Sequence, residues 1–223
     1  MEMQTDQVII PLNGVKLEGN LNVPSESRGL VLFAHGSGSS RHSPRNRYVA
    51  RVLNEAGLGS LLFDLLTPAE EKVESYTGHL RFNIPLLASR LAGATRWLLR
   101  QKGNSHLEVG YFGSSTGAAA ALVAAAELGG RINSVVSRGG RPDLAGSALE
   151  EVEAATLLIV GGNDTPVIAL NEEAYSHLAC GKELRLVPGA THLFKEAGAL
   201  ERVARLASVW FQFHFQAVGR GTL

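Results

Sequence analysis

One stretch constrains this chain more than any other: Glu108 to Glu127, EVGYFGSSTGAAAALVAAAE. It opens with a short apolar run around Val109, Tyr111 and Phe112. It turns at Gly113-Ser114-Ser115-Thr116-Gly117 and continues as an alanine-rich run free of proline and glycine. The pattern predicts strand, sharp turn, helix. The turn is a G-x-S-x-G with Ser115 at its centre. In such an elbow the flanking glycines let two backbone segments pass without a Cβ clash, and the central serine is held in a strained conformation with its Oγ exposed above the sheet. The N–H of Thr116, at the helix start, would point to where an oxyanion develops.

The rest of the chain supplies strands and helices around that elbow. Val8–Pro11 and Val15–Val23 are β-type segments separated by Asn13-Gly14, a strong hairpin signal. Leu30–Ala34 is a continuous apolar run, as in a buried parallel strand, and leads into a glycine- and serine-rich loop, His35 to Ser40. Arg47–Ala56 has helical spacing, and Ser60–Asp64 is the next strand. Leu65–Arg81 is a longer polar connection. A long helix follows from about Asn83 to Lys102, with Asn83 as N-cap and Pro85 in the first turn. Beyond the elbow, Ile132–Val136 is a strand, Ser137–Asp143 a loop at its carboxyl end, and Leu144–Val152 a short helix. Ala155–Val160 is a strand running into Gly161-Gly162-Asn163-Asp164. Ile168–Leu178 is helical, Glu183–Val187 a strand, and Pro188–His192 a loop. The last helix spans about Leu200 to Ala217; Trp210–Phe215 also alternates like a strand, but Val203, Leu206, Trp210 and Phe213 keep helical spacing. Strands alternating with helices after an opening hairpin make an α/β layer sandwich on a mostly parallel sheet.

In such sheets ligands bind outside the carboxyl ends of the strands. Loops leaving strands at that edge carry Ser115, Asp164, His192 and the His35–Ser40 segment. The chain order is Ser, Asp, His. A serine hydroxyl is a poor nucleophile at neutral pH and needs an adjacent base. His192 would take its proton and pass it to the leaving group, and Asp164 would fix the histidine tautomer and stabilise the imidazolium. The backbone N–H groups of Thr116 and Ser37 would form the oxyanion hole, with Gly38 as the alternative to Ser37. Bland readings stand beside these. Asp164 can cap the next helix, Asp64 can compete as the acid, and His35 can brace its loop through hydrogen bonds. Arg138 and Arg141 lie in a loop at the same edge. Either can grip a substrate carboxylate, and the competing reading is an ion pair with Asp143 or a solvated arginine.

Composition excludes other classes. Hydrophobic residues make up 45% of 223 residues, enough for a full core in one domain spanning 1–223. Lys+Arg and Asp+Glu are equal at 21 each, which gives no electrostatic case for nucleic acid or an anionic membrane. The N-terminus lacks a basic and apolar leader, and no apolar run approaches a membrane span. One cysteine, Cys180, rules out an internal disulfide, so a cytoplasmic location is expected. Gly36-Ser37-Gly38 starts like a dinucleotide loop, but Arg41 stands where the third glycine belongs. No phosphate-loop, H-E-x-x-H or Cys/His cluster supports metal chemistry, and no cofactor is expected.

The motifs HGSGS at His35–Ser39, GSSTG at Gly113–Gly117, GGND at Gly161–Asp164 and THLF at Thr191–Phe194 together resemble the α/β-hydrolases, and within them the dienelactone-hydrolase-like group. The resemblance spans essentially the whole chain. It implies an α/β-hydrolase fold with an eight-stranded, mostly parallel sheet and the first hairpin at one edge; the chain itself has no insertion large enough for a separate lid domain. It also implies a triad of Ser115, Asp164 and His192 acting on a small ester, thioester or lactone. Ser115 stands where dienelactone hydrolases carry a cysteine.

Overall fold

A computed structural model describes residues 5–12 and 14–215. Its strands are β1 (Asp6–Leu12), β2 (Val15–Asn22), β3 (Gly29–Ala34), β4 (Gly59–Phe63), β5 (Glu108–Ser114), β6 (Ser134–Arg138), β7 (Ala155–Gly161) and β8 (Lys182–Val187). Its α-helices are α1 (Pro44–Glu55), α2 (Pro68–Thr77), α3 (Ile84–Arg100), α4 (Thr116–Leu128), α5 (Thr165–His177) and α6 (Ala199–His214). The strands form one eight-stranded sheet in the order β1-β2-β4-β3-β5-β6-β7-β8. β2 pairs antiparallel with β1 and β4, and from β4 to β8 every pairing is parallel. The hairpin therefore sits at one edge, as expected, with Asn13 of its turn outside the described residues.

Both faces of the sheet are covered, because the parallel strands are apolar on both sides. Val31, Phe33, Phe112, Val136 and Ile159 point toward α1 and α6 and pack with Val49, Leu53, Val203 and Phe211. Leu30, Leu32, Val109, Tyr111 and Leu158 point the other way, against α3 and α4. The buried Tyr111 hydroxyl finds a partner in Thr95 Oγ1 on α3, 2.7 Å away. Alanines at the face of α4 let it lie close to both α3 and the sheet, so the helix behind Ser115 is buried on nearly all sides. Among the described residues no helix is long and apolar enough to cross a membrane.

The structure corrects several boundaries. The polar connection Leu65–Arg81 contains a helix, α2. Thr67 caps it in a reciprocal capping box with Glu70, and Pro68 stands in its first turn. The helix expected from Arg47 begins at Pro44, where the Ser43 side chain accepts the Asn46 N–H. The strand expected over Ile132–Val136 runs instead from Ser134 to Arg138, because its register with β5 carries on to Ser114↔Arg138. Where a helix is expected over Leu144–Val152 there is a 3₁₀ segment, Pro142–Glu151, broken at Gly146, with Val152 just beyond its end. The final helix ends at His214, and the Ala217 end expected for it lies outside the described residues.

Candidate active site

The elbow forms as its residue types require. Ser115 has φ 50° and ψ −125°, a strained region for any residue but glycine. Its backbone is held from several sides. Its N–H donates to Arg138 O at 3.4 Å, and its carbonyl accepts from Ala118 and Arg141 at 3.1 and 3.0 Å. A methyl group on Gly117 would lie 2.6 Å from the His35 carbonyl oxygen and closer still to that of Ala34. One on Gly113 would strike the Ala118 backbone. The two glycines thus let β5, α4 and the loop after β3 cross at one point. Ser114 Oγ, buried, donates to Asn46 Oδ1 at 3.1 Å and ties the elbow to α1.

Asp164 and His192 meet across two neighbouring loops. The loop after β7 is fastened to the one after β8 by Gly162 N–H to Val187 O (2.8 Å) and Asn163 N–H to Ala190 O (2.9 Å). Asp164 Oδ2 lies 2.7 Å from His192 Nδ1. A carboxylate only accepts, so Nδ1 carries the proton and Nε2 presents its lone pair outward. Although Asp164 stands at the N-cap position of α5, its side chain makes no cap bond there, so the capping reading is set aside. Asp64 is occupied elsewhere. Its carboxylate accepts the Arg41 N–H at 2.7 Å and pairs with the Arg41 guanidinium, which also reaches Glu18.

Ser115 and His192 share this edge through a short relay. Arg138 O takes the Ser115 N–H, and the next residue, Gly139, packs against the His192 backbone and ring. Among the described residues no hydrogen bond joins the Ser115 hydroxyl to His192; such bonds tighten on formation of the substrate complex. His35 braces, as the bland reading had it. Nδ1 donates to Gly36 O and Nε2 accepts from the Leu65 N–H, both at 3.0 Å. Burial pushes its pKa down, against weaker opposing effects of the Gly36 bond and Asp64. Gly36 then lies against Ser115, where a methyl would come within 2.9 Å of the serine Cβ.

The two oxyanion candidates also converge, since Ser37 Oγ and Thr116 Oγ1 are 3.1 Å apart. Thr116 is the first residue of α4, where an N–H has no carbonyl one turn back to bond. The Ser37 N–H makes no hydrogen bond among the described residues. A small cavity of about 10 Å³, enough for about one water, lies under this loop between Thr116, Leu65, Glu74 and Arg81. Here Glu74, which sequence reasoning missed inside a supposed loop, buries its carboxylate and accepts from the Leu80 and Arg81 N–H groups and from the Arg81 side chain.

Of the two candidate anion-binding arginines, Arg141 is already taken. Its Nε and Nη2 grip both oxygens of Asp143 at 2.7–3.2 Å. Arg138 is the last residue of β6 and 7% exposed, not part of the loop where the sequence puts it.

Comparison with a solved structure decides the family. A dienelactone hydrolase from Anabaena variabilis superposes with a TM-score of 0.93 at 60% sequence identity, covering 95% of this chain and 98% of that one. The chain belongs to the dienelactone hydrolase family. That is the group whose motifs the sequence displays, and the fold is shared more widely. A carboxyl esterase from the fungus Tuber melanosporum superposes with a TM-score of 0.76 at 18% identity, over 96% of this chain and 88% of that one. No family model matches. Two curated relatives from strains of Mycobacterium tuberculosis, provisionally named phosphoribosyl transferases, are 54% identical over 217 residues. The match takes in 97% of this chain and 48% of theirs, so this dienelactone hydrolase family member spans about half the length of those relatives.

Proposed function

We propose that the chain is a serine hydrolase that cleaves a small carboxylic ester, thioester or lactone through an acyl-enzyme on Ser115. The observation that carries this reading is a serine strained at φ 50° on an elbow, at the same sheet edge as an Asp164–His192 pair 2.7 Å apart. His192 Nε2 takes the Ser115 proton as Oγ attacks the carbonyl carbon, and the imidazolium is held by Asp164. The oxyanion is received by the N–H groups of Thr116 and Ser37, each such donor being worth roughly 10²–10³ in rate. His192 then protonates the leaving group, and water activated by the same histidine releases the acid. Neither step calls on a metal or an organic cofactor.

The phosphoribosyl transferase name of the longer relatives is assigned here to the portion this chain does not match. The matched portion takes in 97% of this chain, the elbow at Ser115 included, and phosphoribosyl transfer calls for no such serine. The test is mass spectrometry after fluorophosphonate treatment, with turnover of a short 4-nitrophenyl ester panel, on wild type and Ser115→Ala. One adduct at Ser115 with turnover, both lost in the variant, is expected. A folded wild type that is neither labelled nor active would make this a binding protein on a hydrolase scaffold. Release of transfer products in the presence of alcohols or amines, in preference to the free acid, would make it an acyltransferase.

A further inference from the structure

A groove of about 770 Å³ runs along the flank of the sheet, between the last strand, β8, and α6. Neither Ser115, Asp164 nor His192 lines it. Its volume is that of a site for a small organic molecule. One stripe of α6 forms its wall: Arg202, Arg205, Leu206, Val209, Trp210 and Phe213 recur three or four residues apart and so face the same way. The stripe is sorted along its length, cationic where the helix begins and apolar where it ends. Val209 and Phe213 stand 62% and 68% exposed, on a helix whose other face is packed into the core. Trp210 anchors the apolar end. Its indole N–H donates to Ala155 O at the start of β7 (3.2 Å), and its ring lies 4.4 Å from that of His214. Leu157 of β7, 2% exposed, closes that end from below.

Two of the four cations along the groove are already engaged. Lys182 Nζ donates to the carbonyls of Tyr175 and Leu178 at 2.6 and 2.5 Å, and Arg185 pairs with Glu183 at 2.6 Å. Arg202 and Arg205 have no acid among the described residues. The chain as a whole is balanced, 21 basic against 21 acidic residues, so this is a local excess of positive charge. Polarity that changes along a groove suits a molecule with an anionic head and an apolar tail. An amphipathic helix would call instead for an apolar stripe running the whole length. At about 1.5 Å per residue, Arg202 and Phe213 lie about 16 Å apart along the axis, the length of an extended tail of about twelve carbons. We propose that the groove binds an amphiphilic anion, with its tail on Val209, Trp210 and Phe213 and its carboxylate or phosphate head held by Arg202 and Arg205. The site stands apart from the catalytic edge and does not rest on the ester-hydrolase reading.

The tail is tested by isothermal calorimetry with octanoate, decanoate and dodecanoate. Each two carbons added should tighten Kd by about 5- to 15-fold, the upper figure being full burial. The head is tested with decanoate, decyl phosphate and decyltrimethylammonium. Both anions should bind, the tighter of them identifying the head group, and the cation should bind at least about tenfold more weakly. Arg202→Gln/Arg205→Gln should weaken decanoate by about 3- to 10-fold, as for two solvent-exposed ion pairs, and leave the cation no weaker. Phe213→Asp should weaken decanoate by more than about tenfold, through lost apolar contact and an added like charge. These variants lie at exposed positions and leave the core intact. Trp210 reports the location. Decanoate should change the tryptophan fluorescence of wild type and not that of Trp210→Phe, because the other tryptophan, Trp97, lies on α3 at the opposite face of the sheet.

No binding by either readout, a Kd independent of tail length, a cation bound as tightly as the anions, or wild-type affinity in both the arginine and the Phe213 variants would overturn the proposal. So would a wild-type dimer, seen by light scattering, that Phe213→Asp makes monomeric, since the groove would then belong to a second copy of the chain. None of these readouts uses turnover. A protein unlabelled at Ser115 and inert toward esters would end the hydrolase reading and leave the groove to be decided by binding alone.

Discussion

The acid of the proposed triad can be tested by exchanging one oxygen for a nitrogen. In Asp164→Asn the side chain keeps its shape beside His192 Nδ1, where the carboxylate oxygen now lies at 2.7 Å. Two things are lost. The amide can donate to Nδ1, which favours the tautomer with its proton on Nε2, so the ring no longer accepts from Ser115. The imidazolium formed in the transition state also loses its counter-charge. At a charge separation of about 4 Å and an effective dielectric of about 20, that attraction is about 4 kcal/mol, equivalent to about three powers of ten in rate. The Asp164 side chain is 12% exposed and that of His192 40%, so water screens the pair in part while the tautomer loss adds to it. The expected outcome is acylation slower by about 10³-fold, measured in single turnover with 4-nitrophenyl acetate and as the rate of fluorophosphonate inactivation. Asp64→Asn is the control. It weakens the hold on Arg41 and the loop before α1, and should slow acylation less than about tenfold while lowering Tm by a few degrees. Asp164→Asn within tenfold of wild type, or Asp64→Asn the slower of the two, would refute the assignment.

Three further outcomes follow from packing and titration. Gly117→Ala places a methyl against two backbone carbonyls that cannot rotate away, so stability should drop by about 3 kcal/mol or more and Tm by roughly 6–12 °C; a normal melt would contradict the crossing described at the elbow. His35 is buried with its pKa below the ordinary 6.5, so below that pH the unfolded chain binds its proton first. Stability should therefore fall as pH drops from about 6.5 toward 5, with a smaller slope in His35→Gln, and urea melts at both pH values on the two proteins show whether the slope changes. Arg81→Met leaves the Glu74 carboxylate, 3% exposed, with only backbone N–H partners. The cost should lie near the low end of about 3–5 kcal/mol, with faster limited proteolysis between Leu65 and Phe82; an unaltered digestion pattern would count against Glu74 as the tie between α2 and the turn at Leu80–Phe82.

What the sequence showed and what it hid divide along a physical line. β3, β5 and β7 were legible because a strand buried on both faces must be apolar throughout. The elbow was legible because its geometry admits few residue types, and the order of Ser115, Asp164 and His192 followed from the loops after those strands. α2 was hidden although its signal stood in plain view. Thr67-Pro68-Ala69-Glu70 is a capping box, but the helix leaves Val73 and Tyr76 exposed at 49% and 83%, so no apolar stripe announced it.

The deeper limit is partnership between distant residues. Asp64 and Asp164 both follow strands, and nothing local separates them; Arg41 does, by claiming one of the two. Arg138 and Arg141 were likewise equivalent on the page of letters. Asp143, two residues on, occupies Arg141, while strand register extends β6 as far as Arg138, whose guanidinium lies over the Phe194 ring without an acid to meet it. A sequence displays charges one at a time, and the fold settles which of them cancel. Beside Ser115 the charge left without an acid is that of Arg138, with Arg45 as its charged neighbour, and only the fold shows it.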